Sequence, residues 1–300
     1  MTGQHGAANT ATLLLDGRVL VVGGLPPDQR EPADIFDPST DSWTPTAVPV
    51  DDLTVCHSAT RLSDGKVLFV GASHEQRVGV LSQDLPTTSA EIFDPASGKF
   101  TSVGSMSVAR CSATTNLLPD GRVLVAGGGS GPNGASPLAS AEIFDPATQK
   151  FAVTGSMSVP RTFATSTSLA DGRVLIIGGC TSNPIGDDSC PGGSTASAEI
   201  FDPATGAFTQ TGQMMTGRTS NIAVLLPDGR VLVAGGIGNH STDDLATGEL
   251  FDPTTGRFAP TGQMGTAREG AAAALLRDGR VLVVGGTEKD ASQSAELYQP

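Results

Sequence analysis

The chain has 300 residues, with 38 Gly, 20 Pro and only 16% charged residues, a composition that suits a loop-rich all-β protein with a substantial core and excludes intrinsic disorder. Against 18 basic residues stand 31 acidic ones, for a net charge of −13 without any dense Lys/Arg cluster, so attraction to a nucleic-acid backbone is excluded. No apolar run approaches the roughly 20 residues of a membrane-spanning helix.

The chain opens with MTGQHGAANTATLLLDGR, which lacks a basic segment followed by an apolar one, so no export signal is expected there. Asp16-Gly17-Arg18 is then the first of six copies of Asp-Gly followed by Arg or Lys and an apolar run. The others start at Asp64, Asp120, Asp171, Asp228 and Asp278, at intervals of 48, 56, 51, 57 and 50 residues. Each run ends in a diglycine, from Gly23-Gly24 to Gly285-Gly286, reduced to Gly71-Ala72 in the second copy. After a variable segment comes a version of AEIFDP, beginning at Ala33, Ala90, Ala141, Ala198, Gly248 and Ala295. Removing the variable segment from each interval leaves a nearly constant framework, so length variation sits in one connection.

Four strands are expected per repeat: a segment such as 113–118 before Asp-Gly, the VLVVGG run after it, AEIF, and a strand reached through Asp-Pro-Ala-Thr-Gly. Asp-Gly between apolar runs predicts a tight primed turn. Pro and Gly shape the second turn by fixing and freeing φ. One four-stranded meander cannot bury both faces, so the repeats, at about 1–48, 49–104, 105–155, 156–212, 213–262 and 263–300, are predicted to pack as the blades of one all-β, six-bladed β-propeller domain. The short turns then share one face, while the variable loops and inter-blade links share the other, the working face. The sixth repeat stops at Glu296-Leu297-Tyr298-Gln299-Pro300 without a fourth strand. Either that blade has three strands or the chain is cut from a longer one.

A diglycine closing an apolar strand, followed by two aromatics seven positions apart (Phe36/Trp43, Phe93/Phe100, Phe144/Phe151, Phe201/Phe208, Phe251/Phe258), resembles the kelch repeat of propeller proteins, over essentially the whole chain. The aromatics are expected to pack between blades. Kelch-type propellers include copper-radical oxidases resembling galactose oxidase, whose site requires two Tyr, two His and a Cys. This chain has one Tyr, Tyr298, so that chemistry is excluded, and no cofactor or metal is expected.

Arg110, Arg161, Arg218 and Arg268 each precede the Asp of their Asp-Gly by ten residues, on the working face. Two roles stay open. They could form a ring that grips carboxylates, as the resemblance implies for kelch domains that capture acidic peptides or kelch-like enzymes that mutarotate sialic acid. Alternatively, a residue repeated in four blades is scaffold, bonded to backbone or to the repeated AEIF acid. The first two repeats break the symmetry: Gly6 and Thr54 replace the Arg, and the second repeat adds Asp51, Asp52, His57, His74 and Glu75. All four histidines (His5, His57, His74, His240) fall in innermost strands or variable loops, without metal-binding spacing. His57 and His74 join the four arginines as candidate ligand contacts.

Cys180 and Cys190 bracket the loop CTSNPIGDDSC, and a disulfide is expected, which implies an oxidising compartment and an extracytoplasmic or secreted protein. Cys56 and Cys111 occupy non-equivalent registers in adjacent blades and are expected as unpaired, buried small side chains. The expected function is a monomeric, non-catalytic scaffold presenting loops to a glycan, peptide or protein, with no nucleic-acid or membrane partner. The alternative is a sugar-modifying, mutarotase-like enzyme with an Arg-lined mouth.

Overall fold

In the computed structural model, residues 9–23, 33–50, 55–78, 81–182, 190, 193–238, 244–286 and 293–300 are described. Their strands form six antiparallel meanders, and the fold is an all-β, six-bladed β-propeller. The backbone groups into two compact units, residues 1–136 with 141–154 and residues 137–140 with 155–300. The first holds blade one (Asn9–Leu13, Val19–Gly23, Asp34–Asp37, Ser42–Pro45), blade two (Ser58–Arg61, Val67–Val70, Ala90–Asp94, Lys99–Ser102) and blade three (Thr114–Leu117, Val123–Ala126, Ala141–Asp145, Lys150–Val153). The second holds blade four (Thr165–Ser168, Val174–Ile177, Ala198–Asp202, Ala207–Gln210), blade five (Ile222–Leu225, Val231–Ala234, Thr247–Asp252, Arg257–Gln263) and the three strands of blade six (Ala272–Leu275, Val281–Val284, Ala295–Tyr298). Among the described residues the one helical turn is Pro132–Gly134, and no helix is long and apolar enough to cross a membrane.

In blades two to five the second strands are apolar at every position because both of their faces are covered, whereas in blade six Val284 stays exposed. Leu20, Val22 and Ile35 of blade one pack on Val67, Phe69 and Phe93 of blade two, and the other face of blade two, Leu68, Val70 and Ile92, packs on Val123, Val125 and Phe144 of blade three. In the second unit, Leu175, Ile177 and Ile200 meet Val231, Val233 and Phe251 in the same way. Burying one such side chain contributes roughly 1.5–3 kcal/mol. The two aromatics of a repeat sit opposite each other across the third and fourth strands, with ring centroids 4.8 Å apart for Phe251 and Phe258, and also enter the layer between blades.

The Asp-Gly turns differ from the primed type expected. Gly17 N–H donates to Leu14 O, and Leu14 N–H to Arg18 O, so the loop holds three residues, with positive φ at Gly17 and not at Asp16. This is the three-residue hairpin whose glycine takes the left-handed position. Asp16 serves through its carboxylate, which accepts both Arg18 N–H and Arg18 Nε–H. That explains why Arg or Lys follows Asp-Gly.

The diglycine passes directly beneath the next blade. A Cβ on Gly178 would lie 2.2 Å from Arg218 O, and Gly179 N–H donates to that same carbonyl. Two residues beyond each Arg position the chain takes a left-handed step, at Cys56, Ser112, Phe163, Ser220 and Gly270. These steps are linked between blades: Ser112 N–H donates to Cys56 O, Ser220 N–H to Phe163 O, and Gly270 N–H to Ser220 O. Within each unit, neighbouring links on the loop face are thus tied by main-chain bonds that ask nothing of the side chains.

Candidate functional site

The variable loops and the Arg-bearing links do share a face. Arg110, Arg161, Arg218 and Arg268 donate their backbone N–H to Thr87, Leu138, Thr195 and Leu245, near the ends of the preceding blades' loops. Their guanidinium groups, however, point into the protein. Each packs beneath the third strand of its own blade and donates from Nη2 to the repeated acid: Arg110 to Glu142 at 3.1 Å, Arg161 to Glu199 at 3.1 Å, Arg218 to Glu249 at 2.9 Å and Arg268 to Glu296 at 3.0 Å. Nη1 donates to the first carbonyl of the diglycine, at 2.9 Å for Gly127 and 2.7 Å for Gly178. The other oxygen of the acid accepts link N–H groups, as Glu199 does from Ser158 at 2.8 Å. The four arginine side chains are 0% exposed. They are therefore found in the second of the two roles left open by the sequence, on the AEIF acid, and not in an open ring of free donors. Burial pulls the Arg110 and Arg161 guanidinium groups below the ordinary arginine value, and their glutamates oppose that shift.

In the first two blades the acid is retained, as buried Asp34 and Glu91, and Val50 N–H donates to Glu91 at 3.0 Å. Gly6, Thr54, Asp51 and Asp52 lie outside the described residues, as do His5 and His240. His57 is buried, with Nε2 2.9 Å from Thr10 Oγ1 of blade one and its ring 5.7 Å from that of Phe69. Burial drives its pKa from 6.5 down to about 4. His74, by contrast, is exposed. The structure does not bring these histidines into a cluster with acids: no group of three or more His, Cys, Asp or Glu able to hold a metal occurs among the described residues.

What the structure does assemble is a platform on the loop side of blades two and three. The variable loop of blade two folds into a hairpin of its own, Ser73–Val78 with Leu81–Pro86, which carries His74. Asp84 N–H donates to Asn133 Oδ1 of the blade-three loop at 2.8 Å. Beneath them Cys56 and Cys111 are joined in a disulfide, with Cα atoms 5.2 Å apart. The expectation of two unpaired thiols is thus corrected. The left-handed step at Cys56 accepts Ser112 N–H, which brings the residue before it, Cys111, alongside, so their unequal registers are what lets them meet. The signal in the sequence was that offset combined with adjacent blades and an oxidising compartment. Cys180 and Cys190 are also bonded, Cα to Cα 5.5 Å, within the usual span. Ser194 Oγ, beyond that loop, donates to Gly238 O of the blade-five loop at 2.9 Å.

Buried framework charges, a diglycine under the next blade and stitched loops define a six-bladed propeller of four-stranded repeats. Residues 110–158, the third repeat, match the kelch motif. Among solved structures the chain is similar to one titled "Structure of YjhT", at 15% identity and TM-score 0.73, covering 99% of this chain and 95% of that one. It is also similar to a fungal alcohol oxidase of the AA5 family in complex with copper, at 17% identity and TM-score 0.59, covering 98% of this chain and 74% of that one. At such identities these likenesses concern the fold. A search of curated proteins finds no match.

Proposed function

We propose that the chain is a non-catalytic binding module that receives a protein or peptide ligand on the loop platform of blades two and three. The observation that carries this reading is the joining of two neighbouring variable loops by the Asp84–Asn133 bond, above inter-blade links that the Cys56–Cys111 disulfide joins. A surface held in place before binding loses less entropy when a partner arrives. Its base is independent of its loops, which leaves them free to carry specificity. Kelch propellers generally serve protein interactions, which supports the same reading. The two disulfides suit an oxidising environment and support an extracytoplasmic, secreted protein.

The sugar-modifying alternative finds little support in arginines that are each engaged by a glutamate. The lone Tyr298 hydroxyl lies 2.8 Å from Thr261 Oγ1 in the second unit, far in the chain from the platform. The test is a parallel peptide-display and glycan-array screen of the intact chain, repeated with residues 74–85 replaced by a short Gly/Ser turn. Peptide hits lost in the variant, with an unchanged melting temperature, support the proposal. Hits restricted to glycans, or unaffected by the replacement, overturn it. Changing Arg122 and Arg173, on the short-turn face, should leave the hits intact.

A further inference from the structure

Cys56 and Cys111 lie where the links of blades two and three meet the bases of the variable loops. Val55, the residue before Cys56, bridges to Ser73, the first residue of the blade-two hairpin. Cys111 N–H donates to Gly129 O at 2.9 Å, and Gly129 N–H donates to Cys111 O at 2.8 Å, at the start of the blade-three loop. A Cβ on Gly134 would lie 3.5 Å from Cys111 Cβ and 3.8 Å from its sulfur, so the bridge sits against the turn whose Asn133 holds Asp84. Two ties therefore hold the platform, a covalent one between the links at the loop bases and a hydrogen bond between the loops.

The seam beneath them closes without the bridge, because Ser112 N–H donates to Cys56 O at 2.9 Å. Blades four and five meet through the same main-chain bond, from Ser220 to Phe163, with Phe163 and Thr219 at the positions equivalent to the two cysteines. Both cysteines of the bridge are half-buried, whereas Cys180 of the second disulfide is 0% exposed. Accessible disulfides are the more readily reduced and supply the regulatory ones.

We infer that the Cys56–Cys111 bridge is a redox latch on the loop platform, which a dithiol reductant opens, releasing the two loops to move independently. As regulation of binding, this rests on the reading of the platform as a binding surface. One thiolate of the reductant attacks a sulfur of the bridge, the S–S bond breaks, and the departing cysteine thiolate takes up a proton. The second reductant thiol then loses its proton and displaces the reductant from the mixed disulfide, and the other cysteine is protonated in turn. Two electrons pass to the protein, which gains two thiols, and the reductant leaves as its own disulfide. The Asp84–Asn133 bond and the main-chain bond at Cys56 remain, and these open by local fluctuation once no covalent tie limits separation. A partner then has to order the loops that it meets, which weakens binding.

The experiment exposes the intact, folded chain to graded dithiothreitol, traps the thiols by alkylation, and follows amide exchange over residues 73–86 and 129–136. Cys56 and Cys111 are expected to open while the melting transition persists. Exchange in both loops should then quicken by about tenfold or more, with residues 174–177 and 231–234 of blades four and five unchanged. The variant with Cys56→Ser and Cys111→Ser should exchange like the reduced parent without any reductant, and the one with Cys180→Ser and Cys190→Ser should keep the full response. A bridge that yields only when the chain unfolds, or whose opening leaves exchange in the loops unchanged, overturns the inference, and the parent protein alone decides this. Any peptide that depends on residues 74–85 should bind the reduced chain about tenfold more weakly or worse, and equal affinity overturns the regulatory role. Exchange needs no ligand, so a screen that finds no such peptide overturns the platform reading while the exchange data still decide the latch.

Discussion

Arg161 donates from Nη2 to Glu199 Oε1 across 38 residues of chain, and the two side chains are 0% and 1% exposed. Removing one partner strands a buried charge, which typically destabilises by about 3–5 kcal/mol. Arg161→Ala is therefore expected to shift urea unfolding by that amount. Arg122→Ala, which breaks the exposed pair with Asp120, should change stability by less than about 1 kcal/mol. An Arg161→Ala protein as stable as its parent would return the arginines to the list of ligand contacts.

Thiol titration under denaturing, non-reducing conditions is expected to find none of the four cysteines free. The Cys56–Cys111 bridge spans 55 residues and Cys180–Cys190 spans 10. In the loop-entropy model these contribute about 4 and about 3 kcal/mol. The double Ala variant at 56 and 111 should therefore unfold at lower denaturant than the one at 180 and 190. The reverse order would indicate that the short bridge holds more than its loop.

His57 links stability to pH. Its pKa is pulled from 6.5 to about 4, first by burial, with the backbone at Val22 acting weakly the other way. Between those values the unfolded chain binds more protons than the folded one, so stability rises with pH. As pH falls from 6.5 to 4 the fold is expected to lose up to about 3 kcal/mol, at about 1.4 kcal/mol per unit. Blade five carries Asn221 at the equivalent position, which makes His57→Asn a fitting substitution. Melting curves from pH 4 to 7 should show a slope in the parent that flattens in the variant. Parallel slopes would assign the effect to other groups.

Gly270 isolates the left-handed step. Its φ is +59°, and a Cβ there meets nothing within 4 Å. Gly270→Ala is thus expected to cost only the conformational penalty, about 1–2 kcal/mol, and Gly270→Asn less, since Asn tolerates this region better. Chemical denaturation of both variants measures the difference. Equal losses would point to a contact made by the substituted side chains.

Six repeats agreeing in register made the blades and their order legible, because hydrophobic runs and turn residues act locally. The aromatic pairs were legible for the same reason. The role of Arg161 was visible only as one of two alternatives: the sequence shows that Arg and Glu recur together but not which way a guanidinium turns. The Asp-Gly turn was misread because an aspartate suits both a primed turn and a carboxylate cap, and only the Leu14 bonds distinguish them. The hairpin at residues 73–86 and the Cys56–Cys111 bridge depend on contacts between neighbouring blades, which periodicity within one blade does not record.

Cys56, Ser112, Phe163, Ser220 and Gly270 share one backbone torsion and no side-chain chemistry. A disulfide sulfur, two hydroxyls, a phenyl ring and a hydrogen can alternate at this station because the neighbouring blade's main chain reads only an amide and a carbonyl. Mutation can therefore sample new chemistry at the base of each loop without dismantling the junction between blades. Even the covalent bridge at Cys56 can be understood as such a sampled variation, added to a seam that was already closed. Variation in the loops and retention of the junction between blades thus fall on different atoms.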